Sequence, residues 1–486
     1  MKVEIPQEIK SILKTLGKEG FETYIVGGCV RDLLLKRKPK DWDVATNAKP
    51  PEIQKLFPES IYENTFGTVG VKTGAEDATL AIVEVTTLRR EEKYSDYRHP
   101  DVIEFTNTIE EDLARRDFTV NAIALDKDGN YIDPWNGEKD LKDKIIRAVR
   151  DPEGRFQEDA LRLMRAIRFA VQLNFEIEPK TESAIKKQAG LLRVIAKERI
   201  RDEFIKIILA SDGGSARGIY MLEKLGLLEY IVKELREGIG IGQNKHHIYT
   251  VFEHNVRALD YAAQNDYSLE IRLASLLHDV GKPRTKAGDG PDSTFYNHEV
   301  VGGRMTYDIL NRLRFPKRVI EYVTHLVRYH LFYYNVGEVS EAGVRRFISR
   351  VGTECIEDLL KVREADRIGS GVPKAVPYKL RHLKFMIEKV KTDPISPKMI
   401  KINGNDLMKL LNIEPGPKVG KILAVLLEEI LDNPKKNEKE WLEEQAKELN
   451  KRTEAELETM AEAAKKRKEE FESGVEEEMK KKYYVK

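Results

Sequence analysis

The sequence predicts an α+β protein in which a small mixed β-sheet domain precedes a long all-helical remainder. Two patterns carry this expectation. Up to about residue 133, short β-branched and apolar runs (FETYIVGG, DWDVAT, TVGVKTG, LAIVEVTTLR, VIEFT, FTVNAIALD) alternate with Gly- and Asp-bearing turns, as strands of a mixed sheet would. From about residue 136, apolar positions recur at helical spacing, as in EDALRLMRAIRFAVQL and ERIRDEFIKIILA. At 486 residues the chain exceeds what one hydrophobic core ordinarily organises, so several domains are expected.

The elements follow in order. Residues 5–19 read as a helix, and YIV as a strand running into Gly27–Gly28. A short helix at about 29–36 comes next, then a strand bearing Asp41 and Asp43. We place the sheet domain at 1–135 and a helical segment at 136–240. A Gly-rich joint, EGIGIGQNKHH, opens a His-bearing helical segment at 241–390. Residues 391–435 read as a helix pair joined at Pro415–Pro417, where Pro and Gly stop one helix before the next begins. The last segment, 436–486, is Glu/Lys-rich with sparse apolar positions (Leu442, Leu449, Leu457, Phe471) and reads as one long solvated helix.

Composition narrows the function classes. The chain carries 83 basic and 82 acidic residues, so no global field attracts a polyanion and any nucleic-acid contact must come from local basic patches. One candidate is the tract KDLKDKIIRAVRDPEGR at 139–155. Two cysteines, Cys29 and Cys355, lie far apart without a partner motif, which fits a reducing cytoplasm better than a disulfide scaffold. The N-terminus is amphipathic and charged rather than a signal peptide, and no run approaches the ~18 apolar residues of a membrane span. A soluble, cytoplasmic protein is therefore expected.

The segment YIVGGCVRDLLLKRKPKDWDVAT carries the chemistry. Residues two apart on a strand share a face, so Asp41 and Asp43 would converge on one volume. Mg²⁺ favours few carboxylates plus substrate oxygens, which a D-x-D pair provides, and two such ions suit nucleotide transfer. Gly27 and Gly28 would let backbone approach a triphosphate closely, with helix N–H groups and Arg31 beside it.

These motifs resemble the tRNA nucleotidyltransferase and bacterial poly(A) polymerase family, the class II branch of the DNA polymerase β-like superfamily. VGGCVRD with DWD is similar to its first signature, EDLARRDFTVNAIA to its second, and EDALRLMRAIRFA to the one for nucleotide choice. KYSDYRHPDVIEF resembles its flexible loop, which implies a mobile stretch at 94–100 needed more for A than for C addition. The resemblance implies a nucleotidyltransferase head, helical neck and body, and a tail at 391–435 that touches tRNA. It further implies addition or repair of the 3′-terminal CCA of tRNA from CTP and ATP, with two Mg²⁺ at Asp41 and Asp43. An enzyme adding only the terminal A, or a poly(A) polymerase, uses the same residues.

Taken as one helix from Glu158, the third signature places Arg162, Arg165 and Arg168 at ~300°, ~240° and ~180° from Asp159. Leu163, Met164, Ile167 and Val171 occupy the opposite ~40–140° arc. The resemblance implies that Asp159 and Arg162 read the base edge. A carboxylate accepts from the exocyclic amine of C or A, and a guanidinium donates to the adjacent acceptor. Uracil and guanine would set a carbonyl against Asp159. Arg165, Arg168 and Arg116 would then lie nearer the triphosphate, with Asp117 and Asn121 ordering their strand.

Six of the nine histidines fall between residues 247 and 330, and SLLHDVGKP holds adjacent His278 and Asp279. With His254 upstream and Asp366 downstream, that pair resembles the metal signature of HD phosphohydrolases, which implies an HD-type domain at 241–390. His298 and His330 match the positions that hold a second ion in two-metal members. Imidazole and carboxylate together suit Ni²⁺, Mn²⁺ or Co²⁺ better than Mg²⁺. A metal-dependent phosphohydrolase acting on a 2′,3′-cyclic phosphate or a 3′-phosphate is the competing reading.

Overall fold

The structure, a computed structural model, describes residues 5–62, 67–92, 102–243, 248–288 and 290–466. The loop expected at 94–100 lies outside the described residues. Two compact units emerge, one within Met1–Arg236 with Ile309–Phe315, the other within Glu237–Asp308 with Pro316–Lys486.

The first unit begins with helix α1 (Gln7–Lys18), which buries Ile9, Ile12, Leu13 and Leu16, one stripe at helical spacing. β1 (Thr23–Val26), α2 (Gly28–Leu34), β2 (Asp43–Thr46), α3 (Pro50–Leu56), β3 (Ser60–Tyr62), β4 (Thr68–Lys72) and β5 (Ile82–Thr87) follow. Next come β6 (Arg89–Glu92), β7 (Val102–Phe105), α4 (Ile109–Ala114), β8 (Ala124–Asp126) and β9 (Tyr131–Ile132). Seven of these strands form a sheet of order β3-β4-β5-β2-β1-β8-β9, while β6 and β7 pair with each other. The sheet is mixed as expected, because β2 and β5 run parallel and β1 pairs antiparallel with both β2 and β8. Val26, Ala45 and Ala124 pack with Leu88, Ile109, Leu113, Ala122 and Val149 into a core against this sheet.

Helices then dominate: α5 (Gly137–Asp143), α6 (Pro152–Glu158), α7 (Arg162–Leu173), α8 (Pro179–Gln188), α9 (Lys197–Ile208) and α10 (Gly214–Lys224). The short strands β10 (Ile145–Ile146) and β11 (Glu176–Ile177) pair in parallel among them. Asp151 caps α6 by accepting the Gly154 N–H, and Pro152 sits in its first turn. Asn174, left-handed at φ 58°, ends α7.

The named elements of the second unit's described residues are all helices. Val251–Gln264 opens on a capping box between Thr250 and Glu253. Leu269–Leu277, His298–Arg312, Lys317–Tyr329, Glu341–Val351, Ile356–Gly369 and Tyr378–Val390 follow, then Gly404–Leu411 and Pro417–Asp432, the pair expected around Pro415–Pro417. The C-terminal segment is not the single helix expected. Lys439–Asn450 stops, and a new helix starts after Thr453, whose hydroxyl accepts the Glu456 N–H while Glu456 accepts the Thr453 N–H. That reciprocal cap outcompetes helix continuation. Leu442, Ala446, Leu449 and Leu457 are buried, so this part packs rather than projecting into solvent.

Candidate functional site

Val26, Asp43 and Glu84 are direct cross-strand partners on β1, β2 and β5, so their side chains share one face of the sheet. Val26 belongs to the core, and Asp43 sits at its rim, half-buried. Burial pushes the Asp43 carboxyl up to about 7, against the nearby Arg116 guanidinium and with help from Glu84 and Asp41. Asp41 lies in the bend before β2 rather than on it, which corrects the expectation of two aspartates on one strand. The cause is local: β1 ends at Val26, the partner of Asp43, and Gly27 turns the chain away at φ 82°, so Asp41 has no strand opposite it.

Both aspartates nevertheless face the glycine turn. A Cβ built on Gly27 would lie 3.1 Å from Asp43 Oδ2 and 2.9 Å from Arg116 Nη1, and one on Gly28 would lie 3.9 Å from Asp41 Oδ1. Gly27, at φ 82° and in close contact, is thus the position of the turn that disfavours a side chain, whereas Gly28 meets only ordinary van der Waals contacts. Asp41 and Asp43 at the turn, with Glu84 in register beside Asp43, supply the oxygen donors that a divalent cation such as Mg²⁺ prefers. Glu84 was not singled out from the sequence. Alternation in IVEVTT puts it on the open face of β5, but only the register sets it opposite Asp43.

A polar relay ties the three motifs together. Arg31 Nη1 donates to Asn121 Oδ1 at 2.7 Å, Asn121 Nδ2 donates to Asp117 Oδ1 at 3.1 Å, and Arg165 Nε donates to Asp117 Oδ2 at 2.8 Å. Burial alone would raise the Asp117 carboxyl, but Arg165 and Asn121 hold it well below the usual carboxylate range. The guanidiniums of Arg31, Arg165 and Arg168 surround the Phe169 ring at 5.5, 5.4 and 4.1 Å from its centroid. Burial and the neighbouring Arg165 push Arg168 down to about 10, although Glu203 pairs with it at 3.0 Å. Crowded cations of this kind favour an anion.

The residues expected to read the base depart from the single-helix reading. Asp159 is extended between α6 and α7, so its computed angle to Arg162 does not apply. Its Oδ1 accepts the Leu161 N–H at 3.1 Å, a side-chain turn that replaces helix continuation. Its Oδ2 takes Arg199 Nη2 at 3.0 Å. Arg162 is buried and donates to Glu158 at 2.8 Å and to the carbonyls of Arg155 and Arg115 at 3.0 and 3.1 Å. The arginine arc is thus engaged rather than solvated. Arg199 and Glu203, one turn apart on α9, were read only as helix formers; their spacing was the available signal for a shared face.

In the second unit the six expected residues come together. His254, His278, Asp279 and Asp366 offer ligand atoms within 4.8 Å of one another, and so do Asp279, His298 and His330. Asp279 is shared: Oδ2 lies 3.0 Å from His254 Nε2 and 3.3 Å from His278 Nε2, whereas Oδ1 lies 3.3 Å from His298 Nε2 and 3.6 Å from His330 Nε2. The Nδ1 atoms of His278, His298 and His330 lie 2.7–2.8 Å from the carbonyls of Ser275, Phe295 and Val327. A carbonyl only accepts, so each Nδ1 carries the proton and each Nε2 points inward. Burial opposes charge on His278, but Asp279 and Asp366 outweigh it and push it up to about 10. Lys282, absent from the expected set, bonds Asp279 Oδ2 at 2.6 Å and Gln243 Oε1 at 2.7 Å. The K of HDVGKP was its only signal.

Known proteins resemble this chain along most of its length. Residues 23–147 match the poly A polymerase head domain, 174–239 the probable RNA- and SrmB-binding site of polymerase A, and 303–446 the tRNA nucleotidyltransferase domain 2. A CCA-adding enzyme of Ligilactobacillus salivarius is 35% identical over 456 residues, 92% of this chain and 98% of that one. An A-adding tRNA nucleotidyltransferase of Deinococcus radiodurans is 39% identical over 342 residues, 68% of this chain and 76% of that one. The crystal structure of the Bacillus stearothermophilus CCA-adding enzyme in complex with CTP superposes with a TM-score of 0.66 at 28% identity, covering 90% of this chain and 97% of that one. The chain belongs to the tRNA nucleotidyltransferase family, with a poly(A) polymerase head.

Proposed function

We propose that the chain adds or repairs the 3′-terminal CCA of tRNA, taking CTP and ATP and releasing pyrophosphate without a template. The observation that carries this reading is the approach of Asp41 and Asp43 to the glycine turn beside Arg116, with Glu84 opposite Asp43 in register. We assign Mg²⁺ to these carboxylates; when bound it supplies charge neutralisation for the attacking hydroxyl and the leaving pyrophosphate. Arg116, Arg31, Arg165 and Arg168 hold the triphosphate. Gly27 and Gly28 leave room for its oxygens, and the buried Asp117–Asn121 relay fixes where Arg31 and Arg165 stand. Asp159 and Arg162 read the base, with Arg199 orienting the Asp159 carboxylate. Segments 1–135 and 136–240 act as head and neck/body, and 391–435 as the tRNA-contacting tail, in a protein at work in the cytoplasm.

The test offers tRNAs ending before CCA, at C and at CC, with CTP and ATP separately and together, and sizes the products. Full CCA from both nucleotides is the expected result. Extension only from the CC end would assign A addition alone, the activity named for the Deinococcus relative. A run of many A residues would assign poly(A) synthesis.

A second activity rests on the inward-pointing imidazoles. We propose that 241–390 is an HD-type domain in which His254, His278, Asp279 and Asp366 hold one Ni²⁺, Mn²⁺ or Co²⁺ ion, and Asp279, His298 and His330 a second. Such ions supply Lewis acidity for hydrolysing a 2′,3′-cyclic phosphate or a 3′-phosphate at a damaged tRNA end. Metal analysis of the purified chain beside a His278→Ala/Asp279→Ala variant, with hydrolysis assayed on cyclic nucleotide phosphates, checks both parts. Equal metal content in the two proteins, or hydrolysis undiminished in the variant, would remove this reading.

A further inference from the structure

We infer that helix Tyr378–Val390 presents a stacking surface for unpaired bases of the RNA substrate, an inference that rests on the reading above that this chain acts on tRNA. Tyr378, His382 and Phe385 recur at i, i+4 and i+7, one face of a helix whose opposite side buries Leu380, Leu383, Met386 and Val390. His382 lies 6.0 Å from both neighbouring rings, centroid to centroid. Tyr378 and Phe385 are 61% and 62% exposed. His382 does not swing freely, because Tyr334 Oη and His382 Nδ1 are 2.5 Å apart and Tyr334 is itself buried. Aromatic rings held in series and left to solvent cost hydration free energy unless something stacks on them.

Charge selects the occupant. Residues 373–391 contain six basic side chains and one acidic, Glu388, in a chain whose total is 83 basic to 82 acidic. Lys384 and Lys389 are tied to Glu364 and Glu341 at 2.5 Å, while Lys374 and Arg381 are exposed and in no ion pair among the described residues. Aromatic faces interleaved with cations suit a flexible polyanion whose bases present π-faces, the combination that binds single-stranded nucleic acid. A second copy of the same face would set its Lys374 and Arg381 against their like, which disfavours self-association.

The experiment measures binding of the full chain to tRNA lacking CCA, to a short single-stranded oligoadenylate and to a duplex RNA. Tyr378→Ala/Phe385→Ala should raise Kd for tRNA and oligoadenylate about tenfold and leave duplex binding alone. Phe385→Trp should keep the affinity, and its indole fluorescence should be quenched by oligoadenylate. An unchanged Kd in the double variant overturns the inference, as does an equal loss for duplex, which would mean that the substitutions disturb the surface as a whole rather than remove a stacking platform. A shift in sedimentation with RNA binding intact would assign the face to self-association and also overturn it. Failure of the parent reading is separate: a wild-type chain that adds no nucleotide, yet loses tRNA affinity on this substitution, sinks the activity and keeps the surface.

Discussion

Replacing Gly27 by alanine isolates what the glycine turn does. Gly27 sits at φ 82° and ψ −140°, a region in which an L-residue is strained by about 1–3 kcal/mol. Alanine recovers about 0.4–1 kcal/mol by restricting the unfolded chain, so the net destabilisation is about 1–2 kcal/mol. In a unit of this size that lowers Tm by roughly 2–8 °C. The larger effect falls on activity. The new methyl would stand 2.9 Å from Arg116 Nη1 and 3.1 Å from Asp43 Oδ2, both at the ends of side chains that can swing aside. Relief thus comes from moving the two groups proposed to align the reactants, and a displacement approaching 1 Å costs about a hundredfold in rate. Gly20→Ala is the matched control, since Gly20 has φ 87° but nothing within 4 Å of a built Cβ. The assay is single-turnover nucleotide incorporation below both melting temperatures. Gly27→Ala should lose about a hundredfold and Gly20→Ala almost nothing, although both melt earlier. Equal incorporation by the two variants would refute the argument that the turn exists to keep Asp43 and Arg116 in place.

Asp159→Ala and Arg199→Ala should each relax discrimination against UTP and GTP by at least about tenfold, measured as kcat/KM for the four nucleotides; unchanged ratios would place base reading elsewhere. Deleting part of 94–100 should stall products at CC, and equal loss of C and A addition would count against a switching role. Asp117→Asn leaves the Arg165 guanidinium without its buried partner and should destabilise the first unit by about 2–3 kcal/mol at neutral pH, after discounting for Arg165's partial exposure. Because the Asp117 carboxyl is held low in the folded state, its contribution is present above the unfolded value near ~3.9 and is lost as pH falls below it. Urea titrations should therefore show a shallower acid-side loss in the variant than in the wild type.

The strands and helices were legible because their periodicities are local. YIV, DVAT and IVEVTT alternate or run apolar between Gly and Asp turns, and EDALRLMRAIRFA repeats at helical spacing. Asp41, Asp43 and the glycines were legible as a motif. Glu84 was not, because its place opposite Asp43 is a matter of register between strands far apart in sequence. The single-helix reading of 158–171 failed at Asp159, where a side chain competing for a backbone N–H breaks the helix, an outcome that wheel angles cannot foresee. Arg199 and Lys282 escaped for a related reason: a basic residue on a helix reads as solvated until its acidic partner is known.

The most direct measurement is CMP and AMP incorporation into tRNA by Asp41→Ala and Asp43→Ala, alongside the Kd of each variant for the same tRNA. On the proposed assignment the carboxylates act on the reacting phosphate while the RNA is gripped elsewhere, so incorporation should fall at least about a thousandfold with tRNA affinity unchanged. Incorporation near the wild-type level by either variant would contradict the assignment of nucleotide transfer to this site.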